Sequence, residues 1–389
     1  MPFVFIIAIL IILAILFFGH LAVYWFLISV FPVTGGYLFA VQIIIGVLWL
    51  SFAAASVISQ KFNNAGTRTL YKISAAWLGF FVYLLLGACV YAIAVMLFPT
   101  ASPQAISLIG ETLTLVAIVV GIYGITNANR IQITSIKASM PNLPKRWKSR
   151  KAVFVSDLHL GQVRGASFAE RIVSKIRELN PEIVFIGGDL YDGIAVDLHR
   201  VVEPLSRLKV PLGIYFVTGN HEEFSDNSKD LSAIRGIGIK TLMDEKVVID
   251  DIQLIGVDYK HASKKEAFDG ILQSLHINRK IPSILLKHVP SDLDIALKNG
   301  ITLQLSGHTH RAQIFPFTFL AHWIFKGFDY GLHSLGSMQA YTSSGVGNGG
   351  RRFGSEPSQR SSRFYSSNYE GLGQFSLFYP RERVIKRRY

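Results

Sequence analysis

The chain has 389 residues, half of them hydrophobic, and a formal charge of +13 from 39 Lys and Arg against 26 Asp and Glu. That length has room for about two or three domains, and the apolar residues are concentrated before residue 127, so the basic excess belongs to the remainder. The single cysteine, Cys89, excludes a disulfide scaffold and cysteine-rich zinc sites, while a basic surface suits anionic lipid headgroups, phosphate substrates or nucleic acid without choosing among them.

Val4 to about Val30 is apolar and uncharged apart from His20, and no small-residue cleavage site follows it. It exceeds the roughly 7–15-residue core of a secretory signal, so a retained membrane helix is expected. Three more spans follow, from Tyr37 to Ile58, Leu70 to Phe98 and Ile106 to Ile125, each near or above the roughly 20 residues needed to cross a bilayer. Glu111, the one acid inside these four spans (4–30, 37–58, 70–98 and 106–125), is expected at the interface rather than as a buried functional carboxylate. Lys61, Arg68 and Lys72 flank the second connection, the first and third connections are uncharged, and Arg130, Lys137, Lys145, Arg146, Lys148, Arg150 and Lys151 follow the last span. Positive charge favours the cytoplasmic side. An even number of spans then puts the amino terminus and everything beyond residue 127 in the cytoplasm.

Residues 127–150 read as a polar, basic linker, with Pro141 and Pro144 discouraging a helix. Short apolar runs then alternate with amphipathic stretches. Ala152 to Ser156 reads as a buried strand ending at Asp157. Phe168, Ile172, Ile176 and Leu179 lie at helical spacing, stopped by Asn180-Pro181. Ile183 to Ile186 is a strand ending at Gly187-Gly188-Asp189, and Leu212 to Val217 one ending at Gly219-Asn220-His221. Val247 to Asp250 and Gln253 to Val257 read as a hairpin. Ser283 to Leu286 ends at His288, and Leu303 to Leu305 at Gly307-His308. Five strands thus run into polar blocks at their carboxyl ends, the edge at which open α/β sheets bind ligands.

The blocks hold enough oxygen and nitrogen donors for two divalent metals side by side. Asp157 and His159, one residue apart just past a strand, can turn toward one ion. Asp189 follows two glycines that let the backbone approach closely, and its two oxygens can bridge a pair of cations. Asn220 offers a neutral carbonyl oxygen. His288, His308 and His310 add nitrogens, which suits manganese, iron or zinc better than an all-oxygen magnesium or calcium site.

In this order the blocks Asp-x-His, Gly-Asp, Gly-Asn-His-Glu, His and Gly-His-x-His resemble the calcineurin-like metallophosphoesterase superfamily over residues 150–312. The resemblance implies a four-helix transmembrane region followed by an α/β metallophosphoesterase domain, an α/β/β/α sandwich, over 151–348. It implies that Asp157, His159 and His310 are terminal ligands of one metal and Asn220, His288 and His308 of the other, with Asp189 bridging. It makes His221 the catalytic histidine that stabilises or protonates the leaving oxygen, oriented by an acid such as Glu222. Asp192 matches a second acid of many members, with a solvated loop residue or helix cap as the bland alternative. Arg164 is either a substrate-phosphate contact or an ordinary surface arginine. His199, His261, His276, His322 and His333 are expected to be non-ligands.

The tighter resemblance is to bacterial membrane-bound metallophosphoesterases, some of which act on phospholipid-like substrates. It implies an inner-membrane enzyme with a cytoplasmic catalytic domain, cleaving a phosphodiester or pyrophosphate bond in a membrane lipid or lipid precursor; nucleic acid is not an expected partner. Soluble nucleotides or phosphoproteins are the alternative substrates. A membrane sensor or transporter with a ligand-binding phosphoesterase-like domain is the alternative class.

The pattern departs from the family beyond Tyr341-Thr342-Ser343-Ser344-Gly345-Val346-Gly347, which fits the start of the family's last segment. No closing strand is evident, and the Ser/Arg/Tyr-rich tail 349–389 reads as poorly ordered or as an altered terminus, with a frame change near 348 as one origin. The apolar stretch Phe315 to Phe328, about 14 residues, is too short to span. It reads as core, or as a surface dipping into the bilayer.

Overall fold

The structure is a computed structural model that describes residues 2–62, 64–128, 131, 133–161, 163–192, 198–224, 227–312, 314–346 and 372–378. The chain divides into two compact units after Thr126.

The first unit is four helices, α1 (Pro2–Val30), α2 (Gly36–Lys61), α3 (Ala65–Leu97) and α4 (Pro103–Ala128). All four are long and apolar enough to cross a membrane. A helix satisfies every backbone polar group internally, which hydrocarbon surroundings require. Small residues set the packing: a Cβ at Gly110 would collide with Val30, and one at Gly121 with Phe80. The buried His20 stacks on Phe81 with centroids 4.0 Å apart, donates from Nδ1 to the Leu16 carbonyl (2.7 Å) and accepts the Trp77 indole N–H (3.1 Å). Both ring nitrogens are therefore satisfied in the neutral form. Glu111 is exposed and accepts from Ser107.

The second unit is built on two six-stranded sheets. Its strands are β1 (Ile133–Ser139), β2 (Lys151–Val155), β3 (Ile183–Ile186), β4 (Ile214–Phe216), β5 (Lys240–Thr241), β6 (Glu245–Ile249), β7 (Ile252–Gly256), β8 (Ser283–Leu286), β9 (Leu303–Ser306), β10 (Gly331–Leu335), β11 (Met338–Thr342) and β12 (Leu372–Phe378). The sheet orders are β1-β12-β2-β3-β4-β5 and β10-β11-β9-β8-β7-β6. Neighbours are parallel except β1 with β12, β6 with β7 and β10 with β11. The helices are α5 (Ala166–Leu179), α6 (Leu198–Ser206), α7 (Asn227–Gly236), α8 (Tyr259–Ala262), α9 (Lys265–Ser274), α10 (Leu293–Lys298) and α11 (Phe317–Ile324).

The two-residue side-chain period of strands sorts the core into layers. Ala152, Phe154, Ile183, Phe185 and Tyr215 from the first sheet meet Leu254, Ile284, Leu286, Leu303 and Leu305 from the second. The alternate residues Val153, Val155, Val184, Ile186 and Phe216 face Phe168, Ile172 and Ile176 of α5. On the other side Ile255 and Leu285 face Phe268 and Leu272 of α9. The result is the expected α/β/β/α sandwich.

Three expectations need correction. Part of the segment expected as linker is folded: β1 lies within it, Trp147 is buried between the sheets, and Arg150 pairs with Glu182 (3.0 Å) and Asp250 (2.6 Å). The Arg150 charge is thus spent inside the unit, while Lys137, Lys145 and Lys148 are exposed. A closing strand does exist in the tail: β12 pairs with β1 from Ile133↔Phe378 to Ser139↔Leu372 and with β2 on its other side. The rest of the tail expectation lies outside the described residues. Finally, of the two alternatives for the stretch around α11, core is the one that fails: the stretch is largely exposed, with only Ala321 of that helix buried.

Candidate metal centre

Strands β2, β3 and β4 of one sheet and β8 and β9 of the other end at the same rim, where each chain leaves the pleat abruptly. Asp157, His159, Asp189, His308 and His310 all have φ between 45° and 70°, a left-handed conformation costing on the order of 1 kcal/mol for a residue with a Cβ. Cross-loop bonds hold these turns: Asp157 N–H donates to the Gly188 carbonyl (3.0 Å), His159 N–H to Asp189 (3.1 Å) and Gly307 N–H to His288 (2.8 Å). The glycines permit close approach. A Cβ at Gly188, itself at φ 89°, would press on the His288 ring, and one at Gly307 would collide with the Asp157 carboxylate.

Three groups of donors result; two are built from expected ligands, and the third is His159, Asp192 and His221. Asp157, His159, Asp189 and His310 present ligand atoms all within 4.8 Å of one another, and so do Asp189, His288 and His308. Asp189 belongs to both. Asn220 Oδ1 lies 2.8 Å from His308 Nδ1 and 3.2 Å from His288 Nε2, beside the second group. All seven residues expected as ligands are thus brought to one place.

Neighbouring groups fix which nitrogens face inward. His288 Nδ1 donates to the Gly187 carbonyl (2.7 Å), leaving Nε2 toward Asp189 Oδ2 (3.3 Å). His159 Nδ1 donates to Asp192 (3.1 Å), leaving Nε2 3.2 Å from His310 Nε2. Two ring nitrogens pointed at each other, with a buried carboxylate oxygen beside them, fit a shared cation. Donor atoms bound at about 2.0–2.2 Å to one metal lie roughly 3 to 3.6 Å apart.

The electrostatics agree. Burial opposes charge on Asp189, but the His288 and His159 rings outweigh it and hold the carboxylate well below the usual range. Burial likewise opposes charge on His288, yet Asp189 and Asp157 raise it to about 9, so a proton is attracted where a cation would sit. Burial, then the neighbouring His288 charge, lowers His308 to about 4, and burial lowers His310. Both therefore offer lone pairs at neutral pH, as metal binding requires.

His221 sits beside the first group, its ring edge-on to His159 with centroids 4.5 Å apart and its backbone N–H donating to Asp189 Oδ1 (3.0 Å). Glu222 does not orient it. The fully buried Glu222 carboxylate instead accepts the backbone N–H groups of Asp189 (2.9 Å), Leu190 (2.9 Å) and Gly219 (2.6 Å). Burial and then the Asp189 charge push it up to about 7, opposed by the Gly219 N–H; cations beside Asp189 would act in the opposite sense. The acid near His221 is Asp192, whose backbone carbonyl bonds the His221 ring. Asp192 thus touches both His159 and His221, with its side chain 35% exposed. Arg164 stacks on Phe168 at 5.4 Å and feels the Asp192 charge.

Among the described residues, no candidate group includes His199, His261, His276, His322 or His333. His261 and His322 pair with Asp244 and Asp329. The sequence reading missed Lys287, whose buried amine donates to the carbonyls of Val289 and Ser291 (both 3.0 Å) and to the Ser291 hydroxyl (2.7 Å), pinning the loop after His288. A lysine at the end of an otherwise apolar strand was the available signal.

The fold and this rim define an α/β/β/α protein with a candidate dinuclear centre. The family model described as calcineurin-like phosphoesterase matches residues 150–312. A transmembrane protein with metallophosphoesterase domain from Danio rerio is 32% identical over 252 residues, 60% of this chain and 57% of that protein; the chain thus spans little more than half its length. An uncharacterized metallophosphoesterase from Aquifex aeolicus is 30% identical over 240 residues, 60% of this chain and 91% of that protein. A solved dimetal phosphatase from Danio rerio aligns with TM-score 0.35 and 14% identity over 50% of this chain and 87% of that chain. The chain belongs to the calcineurin-like metallophosphoesterases.

Proposed function

We propose that this chain is a membrane-anchored, two-metal phosphohydrolase that cleaves a phosphodiester or pyrophosphate bond, with a lipid-linked molecule as substrate. The observation that carries the chemistry is the position of Asp189 in both groups of expected ligands. In this reading Asp157, His159 and His310 would hold one cation and Asn220, His288 and His308 the other, with Asp189 available to both. The mixed nitrogen and oxygen donors suit manganese, iron or zinc. Bound there, the cations would supply positive charge to the phosphoryl oxygens and make water a nucleophile near neutral pH.

The chain's own residues do the rest. His221 stabilises or protonates the leaving oxygen; burial lowers its affinity for a proton, the Asp189 charge opposes that, and the Asp192 carbonyl bonds its ring. Asp192 turns His159, and Glu222 fixes the loops of Asp189 and Asn220 against each other. Arg164 offers its guanidinium to a substrate phosphate. The four apolar helices, and the relative named as a transmembrane protein, support anchoring. The basic second connection supports a cytoplasmic catalytic unit at a bacterial inner membrane.

The full chain in nanodiscs should hydrolyse a chromogenic phosphodiester, lose that activity to a chelator, and regain it with manganese. A metal-loaded chain without turnover on any phosphoester would refute the enzymatic reading. Lipid extracts incubated with wild type and with His221→Ala should differ in one phosphorylated lipid. Identical extracts would sink the lipid reading and leave soluble nucleotides or phosphoproteins.

A further inference from the structure

Among the described residues, the second unit carries an apolar surface that nothing covers. Helix α11 spans eight residues, Phe317–Ile324. At about 100° per residue, Phe317, Phe319, Leu320, Trp323 and Ile324 share one broad face, while Thr318 and His322 lie on the other. Only Ala321 is buried, and Trp323 and Phe319 are 77% and 68% exposed. Phe315, edge-on to Phe319 at 5.7 Å, extends the face beyond the helix. A water-facing helix with five large apolar side chains on one side is out of place on a free surface.

The helix is also wired to the candidate centre. Phe325, its C-cap residue, lies edge-on to His308 with centroids 6.2 Å apart. His322 bonds Asp329 (2.8 Å), and the Asp329 carbonyl accepts the hydroxyl of Thr309 (2.6 Å), which stands between His308 and His310. What covers α11 therefore sits close to the donors of both groups.

We infer that α11 is an interfacial helix that inserts its Phe319–Trp323 face into a lipid bilayer. Two features of the chain favour lipid over another occupant. The face is aromatic and aliphatic with exposed Lys326 just beyond its end, the composition of a segment lying at the headgroup boundary. The same chain carries four helices apolar enough to cross a membrane. The inference rests on the anchored part of the proposed function and not on hydrolysis. It makes the rim with His308 and His310 open at the height of lipid headgroups, so substrates with a phosphate at that boundary reach it without leaving the bilayer.

The test uses the full chain in vesicles of mixed zwitterionic and anionic phospholipid. Nitroxide labels are read for collision with oxygen, which concentrates in lipid, against a water-soluble nickel complex. The native Cys89 in α3 reports on anchoring. In a Cys89→Ala background, Phe319→Cys and Trp323→Cys report on α11, and Val248→Cys, 60% exposed on β6, gives an aqueous reference. The expected result is a shift at 319 and 323 toward the oxygen-dominated ratio of position 89, with 248 remaining nickel-accessible. Labels at 319 and 323 that match 248 would overturn the inference. So would labels shielded from both reagents, which would place protein rather than lipid on the face. A nickel-accessible position 89 would refute the anchoring itself, and the inference with it.

Discussion

Replacing Glu222 by Gln separates two roles for the acid that follows the histidine of the Gly-Asn-His-Glu block. The Glu222 carboxylate accepts three backbone N–H groups, two at Oε2 and one at Oε1. An amide retains one acceptor, so at best it keeps Asp189 and Gly219 and turns its own NH2 group toward the N–H of Leu190. One charge-assisted set becomes neutral and one buried donor is orphaned, costs of about 1–3 kcal/mol for the orphan alone. Relief of repulsion with Asp189 offsets part of this, since burial and that neighbour already push Glu222 up to about 7. The net expectation is about 1–3 kcal/mol, or roughly 3–10 °C in the melting of the second unit. Glu222→Ala should cost more, because all three donors lose their partner. The loops carrying Asp189 and Asn220 loosen together, so metal affinity should fall roughly 10–100-fold. Equilibrium metal titration and thermal melting of the full chain in detergent check both numbers. A Gln variant that melts and binds metal as wild type, yet turns over slowly, would refute this account and restore a role through His221.

Asp189→Asn should reduce bound metal from two ions to one or none, read by elemental analysis, and lower phosphodiester hydrolysis by on the order of 10³ or more. Asp192→Asn should weaken metal binding roughly 10–100-fold through His159 and leave the melting temperature nearly unchanged, because its side chain is 35% exposed. Gly307→Ala should destabilise by about 1–3 kcal/mol and lower metal content, since the new Cβ must displace Asp157 or Ser156; an unchanged melt would show that the loop yields freely.

The site was legible in the sequence because each of its blocks is local: a run such as Ile183 to Ile186 declares a buried strand, and the polar residues after it declare a loop at that strand's end. Convergence of five such ends needed only the general geometry of α/β sheets. The four spans were legible for the similar reason that length and apolarity are properties of one segment. Glu222 was misread because adjacency suggested a partnership with His221, whereas the short 3-10 turn after Asn220 sends neighbouring side chains in different directions and Glu222 meets backbone from another loop. Strand β12 escaped because its seven residues sit in a Ser- and Arg-rich tail and pair with β1, itself hidden among basic residues. Helix α11 shows a further limit. Apolar content says that a segment avoids water, and only the packing around it says whether protein provides the shelter.

The placement of β12 also sets an order of assembly. Among the described residues β1 pairs with β12 alone, and β2, which ends at Asp157, has β12 on one side and β3 on the other. A growing chain has therefore made its membrane helices, β1 and all seven donors of the candidate centre before the strand that joins β1 to the sheet exists. Until then β2 presents an open hydrogen-bonding edge, and such pairing between distant segments is slow. A chaperone or a metal ion that arrives during this interval would meet a rim whose donors are present and whose sheet is still one strand short.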